Sequence, residues 1–316
     1  MKAVAKATSY LPDTLDAAIM AALEGDLRRS TQDIAECVGA TPVTVRRRTD
    51  RLVNEGVIGL APLVDLHAAG YPYLLLIGIS VEHYSPFEVA GRIAVLPEAL
   101  TVNVVLGRYD IELVAALASR EAASTFLTET LPALQGVARL APALALDVWK
   151  FRRGYQPHPA SDVPEQRKLL DALDHRIVAS LSQNARKSNR AVAAEIGASE
   201  SAVRNRIRRM QQDKQISFAY LQVQPGGPMN AAFVGIDVHG GSGRAVCRAL
   251  AAIPEVSFIA TTLGRHDLIC TLNVTELEQL THLLHEQIVP IEGIKSTAPS
   301  HCIRQVAHQS ALGFIL

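Results

Sequence analysis

The sequence is poor in the features that mark several protein classes. Its four cysteines, Cys37, Cys247, Cys270 and Cys302, are scattered and form no Cys-x-x-Cys pair. That excludes a disulfide framework and a zinc ribbon, and points to a reducing cytoplasm. No run of about 18 uninterrupted apolar residues occurs, and no hydrophobic stretch lies near Met1, so neither a membrane span nor a secretory signal is expected. No Gly-rich phosphate loop follows a strand, and the glycines between Gly240 and Gly243 read as a turn before a helix. His282 and His285 lie three apart with no third ligand, so neither a metal site nor a cofactor is expected. A net charge is lacking too, since 31 basic residues balance 31 acidic ones. As a whole-chain sum this argues against nucleic acid, yet such a sum can hide a local basic face.

Hydrophobic residues make up 48% of the 316, enough for packed cores, and the length fits two or three domains or a duplicated unit. Self-comparison decides for duplication. Residues 15–59 align without a gap on 173–217, and fifteen of those 45 positions are identical, among them Asp16/Asp174, Gly39/Gly197, Arg46/Arg204, Arg48/Arg206 and Arg51/Arg209. Further on, PEALTVNVVLGRYD (97–110) matches PEVSFIATTLGRHD (254–267). Between the copies, Pro157, Pro159 and Pro164 mark an extended linker. The expected domains are 13–60 and 169–218 for the first part of each copy, 68–150 and 229–308 for the second, with a linker at 151–168.

The first part of each copy reads as three helices. Leu15, Ile19 and Leu23 form one apolar stripe. Ser30 and Asp33 make a capping box for a second helix that Gly39 closes. Thr41 caps a third helix with Pro42 in its first turn. On that helix Val45, Thr49 and Leu52 face inward, leaving Val43, Thr44, Arg46, Arg47 and Arg51 outside. Copy two repeats the plan: Ser199 caps, Val203, Ile207 and Met210 face inward, and Ser201, Arg204, Asn205, Arg208 and Arg209 face outward. Two helices, a glycine turn and an arginine-faced third helix describe a helix-turn-helix, whose last helix enters the major groove of double-stranded DNA. The candidate DNA-binding residues are therefore Thr41, Val43, Thr44, Arg46, Arg47, Arg51, Ser199, Ser201, Arg204, Asn205, Arg208 and Arg209. Arg48 and Arg206 sit at the core edge, to buttress the fold or touch phosphate. The alternative to DNA reading is a small helical bundle whose arginine face is merely solvated.

The second part reads as β-α-β-β-α-β in each copy: a strand (71–81; 231–240), a helix (86–96; 243–253), two strands joined at 107–110 or 264–267, a helix (120–131; 276–288) and a last strand (137–149; 293–306). This is the ferredoxin-like plan, an antiparallel sheet with helices on one face. Its other face needs cover, which a second tethered sheet would supply. The fold class is thus α+β, two winged helix-turn-helix units each followed by a ferredoxin-like domain. The shared Gly-Arg-x-Asp turn has the most chemical content: arginine can pair with a carboxylate and aspartate with an ammonium group, as a small zwitterion would require. The candidate effector residues are Gly107, Arg108, Tyr109, Asp110, Gly264, Arg265, His266 and Asp267. The bland alternative is a turn whose aspartate caps backbone.

At these residues the chain resembles the Lrp/AsnC family of regulators. The family's helix-turn-helix signature falls on Thr41, Pro42, Val45, Arg48, Leu52, Gly56 and Ile58. Copy two keeps Ser199, Val203, Arg206 and Ile216, with Lys214 in place of the glycine. The turns at 107–110 and 264–267 resemble the family's ligand-sensing domain, with His266 where a tyrosine is usual. The resemblance implies a cytoplasmic transcription regulator that binds promoter DNA, responds to a small effector such as an amino acid, and self-associates. Family members usually carry one module per chain; this tandem form departs from that, and the expectation here is that one chain imitates a family dimer able to read an asymmetric operator. Sirohaem decarboxylases share the overall plan, but their histidine/tyrosine/arginine signature is absent from both turns. A metabolite-binding protein with degenerate readers is a further alternative.

The zero net charge is a sum over unlike parts. Residues 13–58 hold six basic and eight acidic residues, a net −2, whereas 171–216 hold nine and five, a net +4. On this count reader two should supply more of the salt-dependent affinity for DNA.

Overall fold

The computed structural model describes residue 10 and residues 12–25, 30–55, 57–151, 168–185, 187–222, 231–274 and 276–308. Copy one runs α1 (Thr14–Gly25), α2 (Thr31–Val38), α3 (Pro42–Asn54), β1 (Ile58–Val64), β2 (Tyr73–Val81), α4 (Pro86–Ile93), β3 (Ala99–Leu106), β4 (Ile111–Leu117), α5 (Arg120–Thr125, continued by a π-helical turn over Phe126–Thr130) and β5 (Val137–Phe151). Copy two runs α6 (Ala172–Gln183), α7 (Asn189–Ile196), α8 (Glu200–Gln212), β6 (Ile216–Gln222), β7 (Ala231–Val238), α9 (Gly243–Ala252), β8 (Val256–Gly264), β9 (Leu268–Asn273), α10 (Leu277–His282, continued by a π-helical turn over Leu283–Ile288) and β10 (Ile294–His308). Most of the expected linker, residues 152–167, lies outside the described residues, as does Gly56.

These elements form two compact units. The first gathers α1–α3 with β1 and α6–α8 with β6. Here local chemistry acts as the sequence predicts. Ser30 and Asp33 exchange side-chain bonds with each other's backbone at the start of α2. Thr41 accepts from the Thr44 amide at the start of α3. Gly39 and Gly197 close α2 and α7 at φ +65°, a conformation cheap only for glycine. Val45, Thr49 and Leu52 are buried on α3; on α8 Val203 and Met210 are buried and Ile207 is half-buried. Each reader contributes one strand, and the two strands pair with each other rather than forming a separate wing hairpin on each reader. The β1–β6 ladder runs from Ile58↔Gln222 to Val64↔Ile216 and is centred on Ala61↔Ala219. Those two alanines are equivalent positions of the repeat, so the ladder is two-fold symmetric in register.

The second unit is a closed antiparallel barrel in the order β10-β3-β4-β2-β5-β8-β9-β7. Each copy supplies the same run of four strands, and alternation separates their two faces. Ile77, Ile79, Val102, Val104, Ile111 and Leu113 pack against Val89, Ile93, Phe126 and Leu131 of the copy-one helices. Val234, Ile236, Ile259, Leu268 and Cys270 do the same with Val246, Cys247, Leu250 and Leu283 in copy two. The opposite face of every strand looks into the barrel.

The cover expected for each sheet's open face takes the form of a closed barrel, in which the sheets also join edge to edge. Each 15-residue last strand serves two partners. β5 pairs with β2 through Val137–Leu144 and, past bulges, with β8 through Ala143–Phe151. β10 pairs with β7 and then with β3 in the equivalent register. Closure satisfies edge amides and carbonyls that two open sheets would leave exposed. The close approach demands glycine at the strand ends. A Cβ on Gly264 would stand 2.4 Å from the Pro142 carbonyl oxygen, and one on Gly107 would stand 2.9 Å from that of Pro299.

Candidate nucleic-acid interface and effector turns

On α3, Thr44 is half-buried beside its cap, while Val43, Arg46, Arg47 and Arg51 are exposed. A shallow concavity follows this face, lined by Val43, Arg46, Arg47, Asp50, Arg51, Asn54 and Glu55. Thr41 and Ser199 cap their helices, and their hydroxyls lie 2.9 Å from Thr44 Oγ1 and 3.1 Å from Ser201 Oγ. On α8, Ser201, Arg204, Asn205 and Arg208 are exposed, with Arg204 donating to Glu200 one turn back at 2.7 Å.

The remaining arginines of these helices are structural. Arg48 pairs with Asp13 and, at 3.1 Å, with the fully buried Asp16. In the equivalent places Arg206 pairs with Asp171 and, at 3.3 Å, with the fully buried Asp174. Arg206, followed by backbone amides, holds the Asp171 carboxyl down at about 2. Arg48 acts the same way on Asp13, which lies below the usual carboxylate range.

One candidate is corrected by this arrangement. Arg209 does not face outward with Arg208: its guanidinium donates to Asp174, and the side chain is only 27% exposed. Its counterpart Arg51 escapes that fate because the Tyr10 hydroxyl takes the matching oxygen of Asp16. The Arg51 guanidinium instead stacks 4.2 Å above the Tyr10 ring and remains exposed. Asp16, Asp174 and Tyr10 were not singled out from sequence. The two aspartates carried a signal, since each recurs with its arginine 32 residues later in both copies.

The effector turns need a second correction. Asp110 accepts from the Val81 amide at 2.8 Å and Asp267 from the Val238 amide at 2.9 Å. Both aspartates therefore pin their turn to the end of β2 or β7 rather than waiting for an ammonium group. Tyr109 and His266 are buried over the equivalent glycines Gly78 and Gly235. His266 Nδ1 lies 3.1 Å from Asp237, whose other oxygen accepts from Ser296 at 2.8 Å. Burial pushes the Asp237 carboxyl up, but the bonds from Ser296 and His266 outweigh it and hold the group below its ordinary value. The arginines part company. Gly107 and Arg108 are exposed, whereas Arg265 is buried inside the barrel against Glu112. Burial opposes the Arg265 charge, and the Glu112 carboxylate overrides that penalty. Glu112 is a residue that sequence reasoning missed, because Ile269 stands at its place in copy two.

Buried thiols play no reactive part at neutral pH: burial pushes Cys247 and Cys270 up to about 12 and Cys302 to about 11. His282 and His285 are both exposed. Among the described residues, no helix is long and apolar enough to cross a membrane.

The family description "AsnC-type helix-turn-helix domain" matches residues 13–53 and 170–211, and "Lrp/AsnC ligand binding domain" matches 74–155 and 231–312. The chain belongs to the Lrp/AsnC family. It is a tandem member, a DNA-binding transcription regulator modulated by a small molecule rather than an enzyme. Its curated relatives are one module long. An uncharacterized HTH-type transcriptional regulator of Pyrococcus horikoshii is 31% identical over 141 residues, 44% of this chain and 89% of the relative. The HTH-type transcriptional regulator Ptr1 of Methanocaldococcus jannaschii is 29% identical over 128 residues, 40% of this chain and 86% of the relative. Among solved structures, the siroheme decarboxylase NirDL aligns with a TM-score of 0.62 at 15% identity, covering 93% of both chains. At that identity the likeness extends to the fold alone.

Proposed function

We propose that this Lrp/AsnC chain is a built-in pseudo-dimer that reads an operator of two unlike half-sites and is regulated by an amino acid or a related small carboxylate. In this reading each helical trio is a winged helix-turn-helix sharing one strand ladder with its twin. Each four-stranded sheet with its two helices is a ferredoxin-like sensor. The reading rests chiefly on the β1–β6 ladder, whose symmetric register ties α3 and α8 into one unit as a pair of readers. A symmetric pair of readers matches a two-half-site operator, and unlike side chains on the two helices match unlike half-sites.

Arg46, Arg47 and Arg51 of copy one, and Arg204, Asn205 and Arg208 of copy two, make the DNA contacts, with Thr41, Val43, Thr44, Ser199 and Ser201 at the helix starts. Arginine serves either as a bidentate fork to guanine or as a phosphate contact. The effector binds near Gly107–Asp110 or Gly264–Asp267 and acts by favouring one arrangement or assembly state of the chain over another. The chain works in the cytoplasm and self-associates, with no membrane partner. Fluorescence anisotropy of duplexes from the chain's own upstream region, with and without amino acids, tests this. Salt-sensitive, sequence-dependent binding is expected, and absence of binding at low salt under both conditions sinks the reading.

A further inference from the structure

The two effector turns are alike in sequence and unlike in what their arginines meet. Gly78, Arg108, Tyr109 and Glu112 of copy one stand at the places of Gly235, Arg265, His266 and Ile269 in copy two. Glu112 is the cross-strand neighbour of Gly78, and Ile269 that of Gly235. In the first sheet the Glu112 carboxylate, 4% exposed, receives both terminal nitrogens of Arg265, 8% exposed, at 2.9 and 2.5 Å. A Cβ on Gly78 would stand 2.4 Å from Arg265 Nη1, so the bare glycine makes room for the guanidinium, whose carbon lies 4.7 Å from the Tyr109 ring centre. Its Nε is buried without a partner among the described residues. In the second sheet an isoleucine replaces the acid, and Arg108 stays exposed, with no ion pair among the described residues.

A forked arginine–carboxylate pair is how a protein grips the carboxylate of a small ligand. Buried without a counter-ion, the same arginine would be strongly unfavourable. Copy one therefore carries its own acid for the arginine that crosses over from copy two, while the reciprocal arginine has none.

We propose that Glu112 is a resident carboxylate filling the ligand position of the Arg265 turn, which leaves one open effector position per chain, at the Arg108 turn. The proposal rests on the effector reading above and narrows it to a small ligand that carries a carboxylate. Arg108 supplies the cation, exposed and with no ion pair among the described residues, while buried Ile269 offers it no acid.

Thermal unfolding of the full chain in sodium propionate, against sodium chloride at equal ionic strength, tests it. Glu112→Ala strips the resident carboxylate and is expected to lower Tm by on the order of 10 °C. About 50 mM propionate should then return about 2–4 °C, a gain abolished by adding Arg265→Ala. Equal propionate responses in the single and double variants would overturn the proposal. Should Glu112→Ala fail to fold, Ile269→Glu gives an independent reading. The new acid should capture Arg108, so that Arg108→Ala costs more Tm in Ile269→Glu than in the unaltered chain; equal costs would overturn the proposal. Calorimetry of the unaltered chain with the twenty amino acids separates the two readings. One site per chain, lost in Arg108→Ala, is expected, and two sites per chain would overturn the single open position. Silence across the whole panel, with propionate rescue intact, would sink the effector reading alone.

Discussion

The two readers share a backbone plan and spend their arginines differently. Reader two has the higher formal charge, +4 against −2 for reader one. Yet on α8 Arg206 and Arg209 both turn onto Asp171 and Asp174, Lys187 lies 2.6 Å from Glu195, and Arg204 is shared with Glu200. Reader one keeps Arg46, Arg47 and Arg51 exposed on α3 because Tyr10 satisfies the acid that would otherwise claim Arg51. Formal charge counts residues, whereas DNA meets only those whose charge is not already committed. The sequence expectation that reader two dominates the salt-dependent affinity does not follow from this arrangement, and the α3 face becomes the stronger candidate.

The comparison can be broken most forcefully at the buried aspartates. Asp174→Ala should cost about 2–3 kcal/mol, below the full penalty of a broken buried pair because Arg206 and Arg209 keep some solvent. Asp16→Ala, which frees one arginine and one tyrosine hydroxyl, should cost about 1–2 kcal/mol. Urea unfolding measures both, and a reversed order would refute the division of labour between the readers. Next in size, Arg46→Ala with Arg47→Ala should lower the log–log salt slope of DNA binding by about two. Arg209→Ala should leave that slope unchanged while lowering the urea midpoint. A slope change in Arg209→Ala would return that residue to the DNA interface.

Acid titration sharpens the contrast further. Asp171, held at about 2 against an ordinary 3.8, stabilises reader two at pH above its ordinary value. That contribution is lost as pH falls through about 2. Asp171→Asn should therefore be the less stable form near neutrality, with the gap closing between about pH 4 and pH 2. Circular dichroism during acid unfolding would reveal it, and a gap independent of pH would reject the Arg206 pairing. The smallest effect concerns Lys214, at φ +56° where the family pattern has glycine. Lys214→Gly should stabilise by about 0.5–1 kcal/mol, the left-handed strain removed less the entropy glycine adds to the unfolded chain. A loss of stability would mean that the lysine side chain outweighs its backbone strain.

The helices and their ends were legible because their signals are local. Ser30 with Asp33, Thr41 before Pro42, and Gly39 and Gly197 after their helices each act within four residues, as the bonds they make confirm. The succession of strands and helices within each copy was legible for a similar reason, since apolar runs and the repeat mark each strand twice. The site was only half legible. The outward face of α3 followed from helical period, whereas the inward turn of Arg209 depended on which group had already taken an oxygen of an aspartate 35 residues away. Asp110 and Asp267 looked like ligand groups because nothing in their neighbours along the chain discloses an unbonded amide 29 residues earlier.

By itself the sequence determined that this protein is a duplicated module, where its helices begin and end, which faces are apolar, and which family signature it carries. These are properties of spacing, and spacing is written in the chain. Only the tertiary structure decided that the two sheets close into one barrel, since edge pairing uses backbone groups that every residue has. Only the tertiary structure decided which arginines are free, because an ion pair forms wherever folding brings a cation and an acid together. Arg265 and Glu112, 153 residues apart, are the clearest case.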